Sequence, residues 1–446
     1  MSDNKVLNRW LVVVGAVLIQ VCLGAIYAWS VFTPPLQEAG WSKAQTQFVF
    51  SAGLVSFAVV MVLAGYYLMP RMGPRKLCIS GGVVLGAGYL LGGLIGGTSV
   101  AMLVFFIGIV GGAGIGLGYV VPIAVGMRWF PDKKGLITGL AVAGFGFGAM
   151  LWVKLAGAWG HLIETVGLSN TFAVYGAAFL VLVAIGGIWM VFPPRGWKPA
   201  GWTAPPAKAG IVSDSVSCGA GHMLRTPQFY MIFTAFVFSS GAGLMTIGLM
   251  KLFPREALQA AGMSPTAASA VAGTAMAVFF SLANGFGRVA WGSLSDKLGR
   301  KMSVVVMCLS QGIFVIAFTK MAGTPALLYL GAALIGFNFG GNFALFPTIT
   351  ADTFGSKNIA QLYPLVFLAY GVGGIGGPIL GGRLGDLGNF PLAFTICGVL
   401  CLAASGLALM LRPAAIEPSF IAEEPVEEEV DSEELEPVGA GGAIEQ

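Results

Sequence analysis

The 446-residue sequence predicts an all-α integral membrane protein of twelve transmembrane helices in two six-helix, pseudo-symmetric halves. Three observations lead there. Hydrophobic residues make up 56% of the chain and charged residues only 10%, too little polar surface to cover a soluble body of this size. Apolar runs long enough for a hydrocarbon core, roughly 20 residues each, recur twelve times. Two loop sequences also return at nearly one spacing. Arg71-Met-Gly-Pro-Arg-Lys76 comes back as Lys297-Leu-Gly-Arg-Lys301, 226 positions on, and Arg128-Trp-Phe-Pro-Asp-Lys-Lys134 as Asp352-Thr-Phe-Gly-Ser-Lys357, 224 positions on.

In chain order the predicted spans are 10–32, 46–69, 77–97, 100–126, 136–159 and 171–192, then 230–252, 268–292, 303–322, 325–348, 361–384 and 389–411. Residues 1–192 thus form an N-terminal half and 230–412 a C-terminal half, joined by a linker at 193–229 that holds six prolines. The 67 glycines suit closely packed membrane helices. Lysine and arginine orient the chain: seventeen fall in segments on the side of the termini, against Lys43, Lys251, Arg255 and Lys320 on the other, so both termini are expected in the cytoplasm. The protein is expected in the plasma (inner) membrane. Residues 413–446 carry eleven acidic and no basic side chains and read as a solvated, disordered cytoplasmic tail. Trp10, Trp29, Trp41, Trp129 and Trp197 lie near predicted interfaces and read as anchors.

The charges inside the spans point to chemistry. Arg288 and Lys154 lie within apolar segments and Arg383 near the end of the eleventh span, but no Asp or Glu occupies a span core. A buried cation needs an anion, and here the missing counter-ion is most simply a bound substrate. Arginine suits that task because its planar fork can engage a carboxylate through two hydrogen bonds. Asn284, four residues earlier, shares its helical face and could add a contact, or could serve only as glue between helices. Arg288 could instead snorkel to the interface. Lys154 reads equally as interface anchor and as second ligand. Tyr119 and Tyr370 stand out among the aromatics because a buried hydroxyl needs a partner. Arg383 and Asp386 are expected to pair. Subtracting the repeat offset takes Arg288 to Val62, so the charge belongs to one half only. The glycine-rich runs at 111–118 and 371–377 lie inside spans and lack the lysine and serine of a phosphate loop. The six cysteines show no metal spacing.

Gly292-Ser-Leu-Ser-Asp-Lys-Leu-Gly-Arg-Lys301 resembles the loop signature of the major facilitator superfamily, whose layout is two such repeats. That resemblance implies a gating role for Gly292, Asp296, Lys297, Gly299 and Arg300. The first-half copy departs from it, with Pro70 where the acid belongs. Within the superfamily the chain resembles the oxalate/formate antiporter family and, more distantly, the monocarboxylate carriers. The stretches that carry this are Tyr27-Ala-Trp-Ser, Arg128-Trp-Phe-Pro-Asp-Lys, Met223-Leu-Arg-Thr-Pro-Gln-Phe229, Asn284 with Arg288, and Ala344-Leu-Phe-Pro347. In the oxalate exchanger an arginine and a lysine bind the two carboxylates within an aromatic cage. The resemblance carries the arginine to Arg288 and the cage to Tyr27, Tyr119, Phe145, Phe339, Phe343 and Phe367. The lysine position falls on Tyr370, which favours one carboxylate over two.

The expectation is a secondary carrier of a small organic anion, most simply a monocarboxylate of lactate or formate type, working by exchange or proton symport as a monomer in the lipid bilayer. Two alternatives stand beside it: an oxalate antiporter that uses Arg288 with Lys154, and a membrane-embedded carboxylate sensor. A multidrug exporter would usually place an acid in its cavity, and an enzyme would need a nucleophile, metal or base constellation. No cofactor, metal or nucleic-acid partner is expected.

Overall fold

Every apolar run is helical in the computed structural model, which describes residues 7–412 except 42, 158, 195, 200, 203–217 and 251. Much of the expected linker and all of the acidic tail therefore lie outside the described residues, as does the side chain of Asp386. Eleven continuous stretches are long and apolar enough to cross a membrane, and one, Phe48–Gly96, has 49 residues. It breaks at Gly73, whose φ of 73° and ψ of 166° are not helical, and its length serves two crossings. The described residues thus form twelve spans: α1 (Arg9–Trp29), α2 (48–72), α3 (74–96), α4 (Val100–Trp129), α5 (Lys134–Ala156), α6 (Leu162–Gly187), α7 (Pro227–Leu249), α8 (Pro265–Leu298), α9 (Arg300–Met321), α10 (Pro325–Phe354), α11 (Ile359–Gly385) and α12 (Phe390–Met410).

The internal repeat is visible in the backbone. Gly299, which separates α8 from α9, has φ 85° and ψ 151°, the same extended, positive-φ break as Gly73. The two glycines are 226 positions apart, the spacing of the repeated loop. Only glycine enters that region without steric cost, so each loop needs it.

Local signals set the helix starts. Thr226 accepts from the Phe229 amide and precedes Pro227, and Ser264 accepts from the Ala267 amide and precedes Pro265. Helices α1 to α6 pack among themselves, as do α7 to α12. The two groups meet where α5 runs along α8 and α2 runs along α11.

Glycine sets how closely the groups meet. A Cβ on Gly135 would stand 2.3 Å from the Gly292 carbonyl oxygen, and one on Gly139 would stand 2.3 Å from that of Arg288. Asp296 fastens the same seam. Its carboxylate accepts from the Gly135 and Leu136 amides at 2.9 and 2.8 Å, at the start of α5, and pairs with Arg300 at 2.7 Å. An anion at a helix N-terminus is favoured by the unpaired amides and the helix dipole. Arg300 also reaches Asp352 at 3.3 Å. The related seam between α2 and α11 has Pro70 in place of the acid. There the helices meet through backbone, with Gly65 against the Ala360 carbonyl, and Arg128 donates to the Lys357 carbonyl at 2.6 Å.

Three of the expected tryptophan anchors are corrected. Trp29, Trp41 and Trp129 are buried, whereas Trp10 is about half exposed. The Trp41 and Trp129 indole N–H groups donate to the Thr98 and Val191 carbonyls at 2.8 and 2.7 Å, so these rings hold loops onto the bundle.

Candidate functional site

The site assembles where the two groups of helices meet. Helix α8 delivers Asn284 and Arg288 from one face, just beyond a π-helical turn at Ala275–Phe280. Glycine lets α8 sink between its neighbours: a Cβ on Gly285 would lie 2.4 Å from the Phe147 ring, and one on Gly287 would lie 2.0 Å from the Phe337 carbonyl. Arg288 is therefore fully buried, so snorkelling does not describe it.

Its partners are neutral. Nε donates to the Asn284 side-chain oxygen at 3.0 Å, and one terminal nitrogen, Nη1, donates to the Val142 carbonyl of α5 at 2.9 Å. The guanidinium lies 4.1 Å from the centre of the Phe343 ring and 5.5 Å from that of Phe145, within cation–π range. The tyrosines near it are Tyr27, Tyr119, Tyr363 and Tyr370. Among the described residues no carboxylate pairs with it. Asn284 thus spends its oxygen aiming the arginine.

Three buried polar groups in this region have no hydrogen-bond partner: Arg288 Nη2, the Tyr119 hydroxyl and the Tyr363 hydroxyl. A buried polar group without a partner costs about 1–3 kcal/mol. A guanidinium nitrogen without a partner, near an unpaired phenol, suits a small ligand with acceptor oxygens.

Aromatic rings enclose them. Phe145 meets Tyr27 edge-on at 5.1 Å and Tyr119 at 5.5 Å; Phe367 lies 5.3 Å from Tyr119 and stacks on Tyr370 at 5.1 Å. Phe343 lies 5.5 Å from Tyr370 and 5.3 Å from Phe339. The Tyr27 and Tyr370 hydroxyls hydrogen-bond to each other, joining α1 to α11 across the two groups of helices. Tyr27 sits on a 3-10 segment, Gly24–Val31, where Gly24 presses against the Phe145 backbone. Helix α1 thus changes pitch where it must present this ring.

The expected residues Arg288, Asn284, Tyr27, Tyr119, Phe145, Phe339, Phe343, Phe367 and Tyr370 all belong to this one cluster. Lys154 does not. It is half-buried near the end of α5, nine residues beyond Phe145, which is roughly 13 Å of helical rise. The expected pairing of Lys154 with Arg288 on one dicarboxylate is corrected accordingly. Gly292, Asp296, Gly299 and Arg300 form the seam described above, and Lys297 is exposed beside it. Sequence reasoning missed two rings. Phe57 of α2 lies 5.1 Å from Tyr119 and 5.2 Å from Phe367. Nothing distinguishes it among 31 phenylalanines. Tyr363 did carry a signal, since residues 363, 367 and 370 share one helical face.

Comparison with known proteins agrees with this architecture. The model for "Major Facilitator Superfamily" matches residues 13–282 and 252–439. The uncharacterized MFS-type transporter YhjX of Escherichia coli is 30% identical over 84% of this chain and 87% of its own. The oxalate:formate antiporter of Oxalobacter formigenes is 28% identical over 92% of this chain and 93% of its own. Among solved structures, the proton:xylose symporter XylE bound to 6-bromo-6-deoxy-D-glucose superposes with a TM-score of 0.65 at 15% identity, covering 91% of this chain and 96% of that one, a likeness of fold.

Proposed function

The chain belongs to the Major Facilitator Superfamily, and from that premise we propose that it is a secondary carrier of a small organic anion, with a monocarboxylate of lactate, formate or glycolate size as its cargo. The observation that carries the reading is Arg288: a fully buried cation with neutral neighbours and one terminal nitrogen, Nη2, without a partner. A carboxylate supplies the missing charge and accepts from Nη2 and from the Tyr119 hydroxyl. The rings of Phe145, Phe343 and Phe367 keep water away and strengthen that attraction. The oxalate:formate antiporter's similarity over nearly the whole chain supports the same class of cargo. With Tyr370 tied to Tyr27 and Lys154 a dozen or so ångströms off, a second carboxylate finds no cation, and this favours a monoanion over oxalate.

Transport proceeds by alternating access, the halves 1–192 and 230–412 rocking about the site as the α5/α8 and α2/α11 seams part and close. Both termini lie in the cytoplasm and the working unit is a monomer. The anion-free site leaves Arg288 without a counter-charge, which disfavours the empty return and favours exchange.

Counterflow into proteoliposomes with the proton gradient clamped tests this. Internal L-lactate or formate is expected to accelerate uptake of labelled L-lactate, and internal oxalate to do so far less. No acceleration by any carboxylate would overturn the reading; uptake that needs an imposed proton gradient would make the protein a symporter.

A second outcome follows from Tyr370. Tyr370→Lys restores a cation opposite Arg288 and is expected to raise oxalate affinity relative to lactate by about tenfold or more. An unchanged ratio would show that position 370 does not face the cargo.

A further inference from the structure

Helix α12 fixes where the chain leaves the bundle, and the surface around that point is one-sided in charge. Two contacts set the antiparallel register of α12 on α9. A Cβ on Gly312 would stand 2.7 Å from the Gly398 carbonyl oxygen, and the Ser405 hydroxyl donates to the Val305 carbonyl at 2.9 Å. These contacts lie seven residues apart on each helix, so five residues further on Met410 stands level with Arg300, and the chain leaves α12 beside the loop between α8 and α9. On another side α12 packs against α7, with the Cys401 thiol 3.6 Å from the Phe238 carbonyl. Eleven residues on from that contact, Arg412 comes level with Pro227, the start of α7.

Four cations surround this exit: Lys297 at the end of α8, Lys301 at the start of α9, Arg225 just before α7, and Arg412 itself. All four are exposed, and among the described residues none has an acidic partner. The acids beside them are already engaged, since Asp296 and Asp352 both pair with Arg300. The chain that continues from Arg412 carries the opposite charge. Residues 413–446 hold eleven acids and no base, and nine of those acids fall within 423–436. Glu423 is eleven residues beyond Arg412, a separation that a flexible chain spans as about 18 Å. The tether alone keeps these carboxylates near the four cations at an effective concentration of about a millimolar.

We propose that the acidic segment 413–446 docks on the patch formed by Arg225, Lys297, Lys301 and Arg412 of its own chain. One exposed ion pair contributes little, but several carboxylates facing several cations act together. Anionic lipid headgroups would meet the same cations, yet they must be recruited from the bilayer, whereas the segment is tethered at the patch. Lys297 and Lys301 directly follow Asp296 and Arg300 in the chain, so the docked segment lies against the α5/α8 seam. The contact is salt-sensitive and independent of the cargo.

Cross-linking in the full chain reads the docking directly. Met302 is exposed beside Lys301, Ala422 precedes Glu423, and all six native cysteines are buried, so a Met302→Cys/Ala422→Cys pair is the reactive one. In lipid nanodiscs a short bifunctional maleimide is expected to join the pair about fivefold or more faster at about 20 mM than at about 500 mM NaCl. Glutamine in place of Arg225, Lys297 and Lys301, all exposed positions outside the helix packing, is expected to bring the low-salt rate down to the high-salt one. Glutamine in place of Glu423, Glu424, Glu427, Glu428 and Glu429 is expected to do the same. Rates that respond to neither salt nor these substitutions would show a segment that is tethered but not docked, and would overturn the inference. Nanodiscs of phosphatidylcholine alone and of phosphatidylcholine with phosphatidylglycerol separate the two sources of anion. The salt-sensitive acceleration is expected in both; its loss in the mixture would assign the cations to headgroups and overturn the inference as well. No cargo enters the measurement, so its failure and that of the carrier reading are distinguishable.

Discussion

Replacing Arg288 with methionine is expected to abolish anion counterflow and yet to raise the melting temperature of the anion-free protein. Both effects have one cause. The guanidinium is fully buried, two of its nitrogens are occupied by the Asn284 and Val142 oxygens, and Nη2 has no partner. Exchanging a buried ionic group for an apolar one of similar size is often neutral or stabilising by about 1–4 kcal/mol. The thioether chain would rest against the Phe145 and Phe343 rings that now face the cation. Arg288→Lys behaves differently. It keeps the charge but cannot reach the Asn284 oxygen and the Val142 carbonyl while also pointing at the cargo, and losing a buried, charge-assisted contact costs about 2–5 kcal/mol. Counterflow in proteoliposomes and thermal unfolding in detergent measure the two effects. A methionine variant that melts far lower than wild type would mean that Arg288 holds the fold together.

Gly139→Leu is the second large effect, and it acts on the seam. A Cβ at Gly139 would stand 2.3 Å from the Arg288 carbonyl oxygen and 3.0 Å from the Val289 Cα, contacts with backbone that no rotamer relieves. Helices α5 and α8 then cannot meet, although each packs normally with the other helices of its own group. The expected result is a folded protein fixed open at the Asp296 end, with counterflow reduced by about 100-fold or more. Ser295 is buried at that seam, and all six native cysteines are buried, so a Ser295→Cys reporter gives a clean signal. It should react quickly with a membrane-impermeant thiol reagent in the Gly139→Leu background and slowly without it. Equal rates in both would show that the seam closes without this contact.

Bilayer thickness fixes span length, and glycine alone tolerates the backbone break between spans. For those two reasons the twelve helices and the repeat were legible in the chain, and Gly73 and Gly299 adopt the same break 226 positions apart. Arg288 and Asn284 were legible as neighbours because four residues make one helical turn. Pairing across the two groups of helices was not. No local pattern announces that the Tyr27 and Tyr370 hydroxyls meet, and that meeting changes which phenols stay free. Lys154 looked equivalent to Arg288 in a count of span charges, yet nine residues of helical rise carry it away from Phe145. Trp29, Trp41 and Trp129 stood at span ends and read as lipid anchors, but burial is decided by neighbours distant in sequence.

The central claim is that the counter-ion of Arg288 is the cargo. Its most direct test is equilibrium binding of L-lactate to the purified protein, followed by calorimetry and by the rise in melting temperature with anion concentration. Wild type should bind and gain about 2.7 kcal/mol of stability at a hundred times Kd. Arg288→Lys and Arg288→Met, folded by the same melting measurement, should show binding weakened by about 30-fold or more. Equal binding by wild type and by Arg288→Met would contradict the account.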